Sequence, residues 1–240
     1  MIKLEREVDV FTLTMDAGEN RWNTTFVREV AQALDEVEAS EGAAALVTRS
    51  ANEKFFSNGL DLDWVQAPDD HPDGGDRQVF GGEFMALMGR IITLPVPTVC
   101  AINGHAFGAG FMMSLCHDVR VMRVDRGFVC ANEMQLGMKI PEPELALFRH
   151  KVPANAFFET VQLARRWAGP QALEAGIVQH VSELDELMPL ATQKAQELAP
   201  LGANREIYGG QKERLFGENA ALNLPHGAAY MLKNSDKFSH

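Results

Sequence analysis

The chain has 240 residues, enough to bury a substantial core, and its 46% hydrophobic and 23% charged residues are those of an ordinary folded protein, which excludes disorder as its main state. A net charge of −11 argues against a nucleic-acid partner, whose phosphates are gripped by clustered lysine and arginine, but it leaves room for a local basic site facing a phosphate-bearing ligand. No apolar run approaches the ~20 residues of a membrane span.

MIKLEREVDV at the N-terminus is charged from its third residue and carries no signal-peptide h-region, and the closing DKFSH is not of the peroxisomal Ser-Lys-Leu type. Cys100, Cys116 and Cys130 each have small or apolar neighbours, the pattern of buried reduced thiols. A cytoplasmic protein is expected.

In chain order, VFTLTM (10–15) puts Phe11, Leu13 and Met15 on one face at the strand period of two. DAGEN supplies a turn, Asn23 is placed to cap a helix, and Phe26, Val27, Val30, Leu34 and Val37 recur at helical spacing. AAALVTRS (43–50) reads as a buried strand, and SNGLDLDW (57–64) as a turn entering a short helix. APDDHPDGGD (67–76) is the most loop-like tract. Phe80, Phe84, Leu87, Met88 and Ile91 then mark an amphipathic helix that LPVP ends, followed by a buried strand at TVCAIN (98–103).

The next stretch, NGHAFGAGFMMSLCHD (103–118), joins a glycine-rich turn to a helix over 109–117 whose first turn has no acid, base or nucleophile. VRVMRV and FVCANEMQ read as strands, and beyond KIPEPE the chain is mostly helical. Strand and helix alternate over about the first 140 residues, which implies an α/β fold with a largely parallel sheet, helices outside it and a helical C-terminal lobe. His105 and His117 lack a third ligand for a metal.

FFSNGLDL (55–62), PTVCAINGHAFGAGFMMSLCHDVRVM (97–122) and GPQALEAGIVQHV (169–181) together resemble the crotonase, or enoyl-CoA hydratase/isomerase, superfamily over about residues 1–195. The resemblance implies a ββα spiral core over 1–195, with 196–240 a helical extension of the same domain used to build a homotrimer or hexamer. It also implies an acyl-CoA ligand, with no metal and no cofactor beyond the coenzyme A of the substrate. The thioester oxygen would sit between the backbone N–H groups of Leu60 and Ala109, flanked by Asn58, Gly59, Asp61, Gly108, Gly110 and Met112. Two such preorganised donors stabilise an enolate, each typically worth ~3 kcal/mol, and the helix start at Ala109 adds partial positive charge. In the family the region of Arg21 and Asn23 approaches coenzyme A.

Hydratases of the superfamily carry two glutamates. The first place is Met112 here; the second is Glu133, in ANEMQLG. Adding water divides its labour between two carboxylates, whereas moving a double bond from position 3 to position 2 needs one, which takes a proton from C2 and returns it at C4. The one-glutamate pattern is most similar to the Δ3,Δ2-enoyl-CoA isomerases, with Glu133 as proton shuttle in an apolar setting that raises its pKa. Glu142 and Glu144, in PEPELALF, read first as helix-start dipole and capping residues, with either one weighed as an alternative base. Asp61 and Asn103 read as turn-fixing residues, and Glu159 as solvent-facing or at an interface. Phe80, Phe84, Met88, Met112 and Phe148 are nominated for the acyl pocket. The rivals are another acyl-CoA reaction on the same fold (hydration, thioester hydrolysis, decarboxylation or dehalogenation) and a non-catalytic acyl-CoA-binding protein.

Overall fold

A computed structural model describes residues 1–67, 74–217 and 227–238 of the chain. Residues 68–73, most of the tract read as a loop, lie outside the described residues, as does part of the C-terminal extension. The strands are β1 (Ile2–Glu7), β2 (Val10–Met15), β3 (Ala45–Ser50), β4 (Phe55–Ser57), β5 (Thr98–Ile102), β6 (His105–Phe107), β7 (Val119–Arg123), β8 (Val129–Cys130) and β9 (His180–Ser182). The helices are α1 (Thr24–Ala39), α2 (Leu62–Val65), α3 (Arg77–Ile92), α4 (Ala109–Cys116), α5 (Glu142–Lys151), α6 (Ala154–Val161), α7 (Gly169–Glu174), α8 (Leu184–Leu198), α9 (Arg205–Phe216) and α10 (Ala228–Lys233).

Six strands form one sheet in the order β1-β2-β3-β5-β7-β9; only β1 runs antiparallel to its neighbour. The central strands read as unbroken apolar runs because both faces are covered. Val10, Ala45, Val47, Val99, Ala101 and Val121 pack against Leu187, Ala191 and Ala195 of α8 on one face. Phe11, Leu13, Leu46, Cys100 and Ile102 join α1, α3 and α4 in the main core on the other. All three cysteines are buried as free thiols, and burial pushes their pKa up, to about 12 for Cys116 and about 11 for Cys130.

The second sheet positions the site. Its strands β4, β6 and β8 are short and all parallel, in the order β4-β6-β8. Parallel strands deliver their C-terminal ends to one edge, so the segments after Ser57, Phe107 and Cys130 emerge side by side. Those segments carry Leu60, Ala109 and Glu133.

Three elements depart from the sequence reading. β1, whose charged IKLERE half-buries only Ile2 and Leu4, is an edge strand that the pattern did not announce. FVCANEMQ is a strand only at Val129–Cys130; Glu133–Leu136 wind into a 3₁₀ turn closed by Gly137 at φ +72°. The part beyond KIPEPE, read as mostly helical, also contains the strand β9, and α10 packs against α3 and α5 of the core. Among the described residues no helix is long and apolar enough to cross a membrane.

α4 is buried along its whole length, and His117 anchors its C-terminal end. That ring is fully buried between the Met113 carbonyl oxygen and the Thr48 hydroxyl, each 2.8 Å away, and desolvation lowers its pKa to about 4. The unfolded chain therefore binds a proton at His117 near the usual 6.5, where the folded chain does not. Its contribution is complete above that value and is lost as pH falls towards 4, by up to about 3 kcal/mol. Urea unfolding at pH 7.5 and pH 5 is expected to show this loss in the native chain and a flatter pH dependence in His117→Gln.

Candidate active site

Leu60 is presented by its neighbours. Trp22 forms a parallel bridge with the Leu60 segment: its N–H donates to the Gly59 carbonyl (2.9 Å), and its carbonyl accepts from the Asp61 N–H (3.0 Å). A residue flanked in this way points its own N–H to the opposite side, and the Leu60 N–H has no hydrogen-bond partner among the described residues. The Trp22 ring is fully buried against Phe26 and Phe84, and its Nε1 donates to Ser57 Oγ at 3.1 Å. Gly59 adopts φ +82°, and a Cβ there would meet the Phe107 carbonyl oxygen at 3.0 Å and the Ala109 nitrogen at 3.9 Å. The two loops are thus in contact, and glycine is what permits it.

Ala109 opens α4, so its N–H is one of the donors that a helix start leaves free. It too has no hydrogen-bond partner among the described residues. Gly108 precedes it at φ +47°, ψ −116°, with its own N–H bonded to the Cys130 carbonyl at 2.9 Å. A Cβ on Gly108 would lie 3.0 Å from Glu133 Oε1. Glu133 therefore lies against the turn that carries the second free N–H. One residue on, a Cβ on Gly110 would collide with the Ser57 carbonyl oxygen at 2.5 Å, so the glycine lets α4 seat on β4.

Glu133 is only 8% exposed. Desolvation raises its pKa, while its own backbone N–H and then the neighbouring Glu144 carboxyl work in the opposite sense. Glu144 is held well above the carboxylate range by its own burial and by the neighbouring Glu133. This corrects the reading of Glu144 as a capping residue. On α5 it shares a stripe with Leu147 and Phe148, at spacings of three and four, and that stripe is buried where Phe148 meets Phe111 of α4. Glu142, two residues earlier, stays at the surface.

Leu60, Ala109, Glu133 and Glu144 line one cavity of about 460 Å³, together with Asn58, Gly59, Gly108 and Met112. Phe80, Phe84 and Met85 of α3 form an apolar wall, while Arg21, Asp63 and Lys139 line it elsewhere. Arg21 is held by Glu19 and Asp63, and Glu19 also accepts from Asn58 Nδ2, which ties the rim together.

Asp61 and Gly110, expected to touch substrate, are outside the cavity lining: Asp61 caps α2 by accepting from the Trp64 N–H, and Gly110 faces Ser57. Met88 and Phe148 are buried and outside the cavity lining. Asn23 caps α1, and Asn103 braces its turn by donating to the Ser50 and Asn52 carbonyls. Glu159 pairs with Arg165 at the surface. Sequence reasoning missed Trp22 and held Glu144 only as an alternative base; the spacing of Glu144, Leu147 and Phe148 was the available signal for its inward position.

Two free amide donors, one at a helix start, face a carboxyl-bearing apolar cavity, an arrangement that stabilises negative charge forming on a carbonyl oxygen beside a proton acceptor. A sequence model described as "Enoyl-CoA hydratase/isomerase" matches residues 5–208, and the chain belongs to that family. It is 29% identical over 223 residues to the peroxisomal enoyl-CoA delta isomerase 2 of Arabidopsis thaliana, covering 91% of this chain and 93% of that one. It is 36% identical over 170 residues to the carnitinyl-CoA dehydratase of Shigella flexneri, covering 68% of this chain and 62% of that protein. A probable enoyl-CoA hydratase from Mycobacterium tuberculosis superimposes with a TM-score of 0.79 at 25% identity, covering 92% of this chain and 89% of that one.

Gly108→Ala places a methyl group against Glu133 Oε1 on a backbone that side chains rarely adopt. It is expected to cost about 1–3 kcal/mol of stability, read by urea unfolding, and to displace Glu133 from the Ala109 N–H.

Proposed function

We propose that this chain is a Δ3,Δ2-enoyl-CoA isomerase, converting 3-enoyl-CoA to trans-2-enoyl-CoA. The observation that carries the reading is Glu133 beside the free N–H of Ala109, with the free N–H of Leu60 across the same cavity and the apolar Met112 one helical turn away. The thioester oxygen accepts from the two N–H groups, which makes the C2 protons more acidic. Glu133 takes one of them; the C–H electron pair enters a dienolate whose negative charge rests largely on the thioester oxygen. The proton returns from Glu133 to C4, the double bond settles between C2 and C3, and the carboxylate is regenerated. No water is consumed, so an apolar wall of Met112, Phe80 and Phe84 suits the chemistry. Arg21 and Lys139 are the cations of the cavity lining, and this reading assigns them to the phosphate-bearing part of the ligand.

One observation favours a second reading. Glu144 brings a second carboxyl into the cavity from α5, so the gap at Met112 does not leave Glu133 alone, and hydration or dehydration comes back into consideration. Yet water addition is served by two carboxylates that receive one water between them. Here the carboxyls share one apolar cavity, and the charge of Glu133 together with burial holds Glu144 towards its neutral form, which supports isomerisation.

A panel of 3-enoyl and 2-enoyl CoA esters, followed for both isomerisation and hydration, tests the proposal. Isomerisation of the 3-enoyl esters is expected, and Glu133→Gln is expected to lower kcat by ~10³-fold. Efficient hydration of crotonyl-CoA without isomerisation would overturn it in favour of a hydratase. Binding of coenzyme A esters that survives Glu133→Gln, with no turnover of any ester, would identify a non-catalytic binding protein.

A further inference from the structure

The pairing of two carboxyls in one apolar cavity asks for an explanation that the reaction alone does not give. Glu133 reaches the cavity from the 3₁₀ turn after β8 and Glu144 from the first turn of α5, the next helix along the chain. Oε2 of Glu133 and Oε1 of Glu144 are both buried with no N–H or O–H donor from the groups around them. The walls bring no charge to them: α3 contributes Phe80, Gly81, Phe84 and Met85, and the α4 turn contributes Gly108, Ala109 and Met112. The other charged groups of the cavity are Arg21, Asp63 and Lys139, and Arg21 is committed to Glu19 and Asp63. No ion pair joins Lys139 to either carboxyl among the described residues, and two neighbouring carboxylates would repel in a medium that screens poorly, so one of them keeps a proton.

We infer that Glu144 is a positioning residue for Glu133: its carboxyl keeps a proton, donates it as a hydrogen bond to the Glu133 carboxylate, and so holds the base ionised inside an apolar cavity. The inference rests on the reading of Glu133 as the base. Burial favours this division of roles: Glu144 is 5% exposed and Glu133 8%, and Glu133 reaches the free amide of the α4 turn. The proton count closes over a turnover. The pair begins with one proton, on Glu144, and one negative charge, on Glu133; the C2 proton moves to Glu133 and leaves two neutral acids beside the dienolate. Delivery of the Glu133 proton to C4 restores the starting state.

The pH profile of kcat/KM for Glu144→Gln and Glu144→Leu separates this role from simple packing. Gln retains an N–H donor towards Glu133, and its acidic limb is expected to stay near that of the native chain. Leu removes the donor, and its acidic limb is expected to move up by about one pH unit, so that activity on that limb falls about tenfold while the higher-pH plateau persists. A packing defect would lower the whole curve, and an acidic limb that does not move in Glu144→Leu, or moves equally in both variants, overturns the inference. A second measurement needs neither turnover nor a well-packed Glu144 variant: carboxyl-carbon NMR titration of glutamate-labelled native protein and Glu133→Gln. Glu144 is expected to remain protonated through neutral pH in the native chain and to titrate lower once Glu133 is gone. An ionised Glu144 at neutral pH overturns the inference. Coupled titration in a protein that fails to isomerise any 3-enoyl ester would preserve the carboxyl pair and overturn the reaction assigned to it.

Discussion

Everything chemical in this chain depends on three short strands running in the same direction. β4, β6 and β8 contribute eight residues between them, yet their shared direction brings three loops out at one edge. Two of those loops leave an amide N–H unclaimed, and the third turns a carboxyl towards them. Reversing any one strand would send its loop to the opposite edge, and no choice of side chains could then restore the juxtaposition. The larger sheet, with its two covered faces, is the platform on which that small sheet is held.

Preorganisation follows from groups that have nowhere else to go. Leu60 faces inward because Trp22 has already taken the carbonyl before it and the N–H after it. Ala109 is free because a helix cannot satisfy its own first donors. The glycines at 59 and 108 allow backbone and carboxylate to approach within distances that a side chain would forbid. Each of these is a geometric necessity before it is a catalytic one, and so the donors are aimed before any ligand arrives.

The same distinction explains what could be read from the sequence. Positions at which backbone geometry restricts the residue were legible: the glycine turns at 59 and 108, the α4 start at Ala109 and the apolar periodicity of α1 and α3. Glu133 was legible through its place in a motif. Glu144 was misjudged because an acid in the first turn of a helix satisfies local rules, and only the docking of α5 on α4 turns that side chain into the cavity. Trp22 was passed over because its role is a bridge to a segment more than 30 residues away, which no local pattern encodes. The FVCANEMQ stretch reads as a strand on side-chain preference, but its partner β6 ends at Phe107, and beyond that edge the chain is free to coil into the turn that bears Glu133.

The position of α10 has a bearing on how the molecule comes together. Gly89 on α3 admits Lys233, Leu232 and the Ala229 carbonyl so closely that any side chain there would strike them, and α5 leans on the same helix. The apolar wall formed by Phe80 and Phe84 and the helix that carries Glu144 are thus braced by a segment well over a hundred residues downstream of α3. Contacts of such long sequence separation form late, after loop-closure entropy has been met. During synthesis the central sheet can assemble while α10 is still unmade, so the pocket takes its final form only once residues 228–233 have emerged.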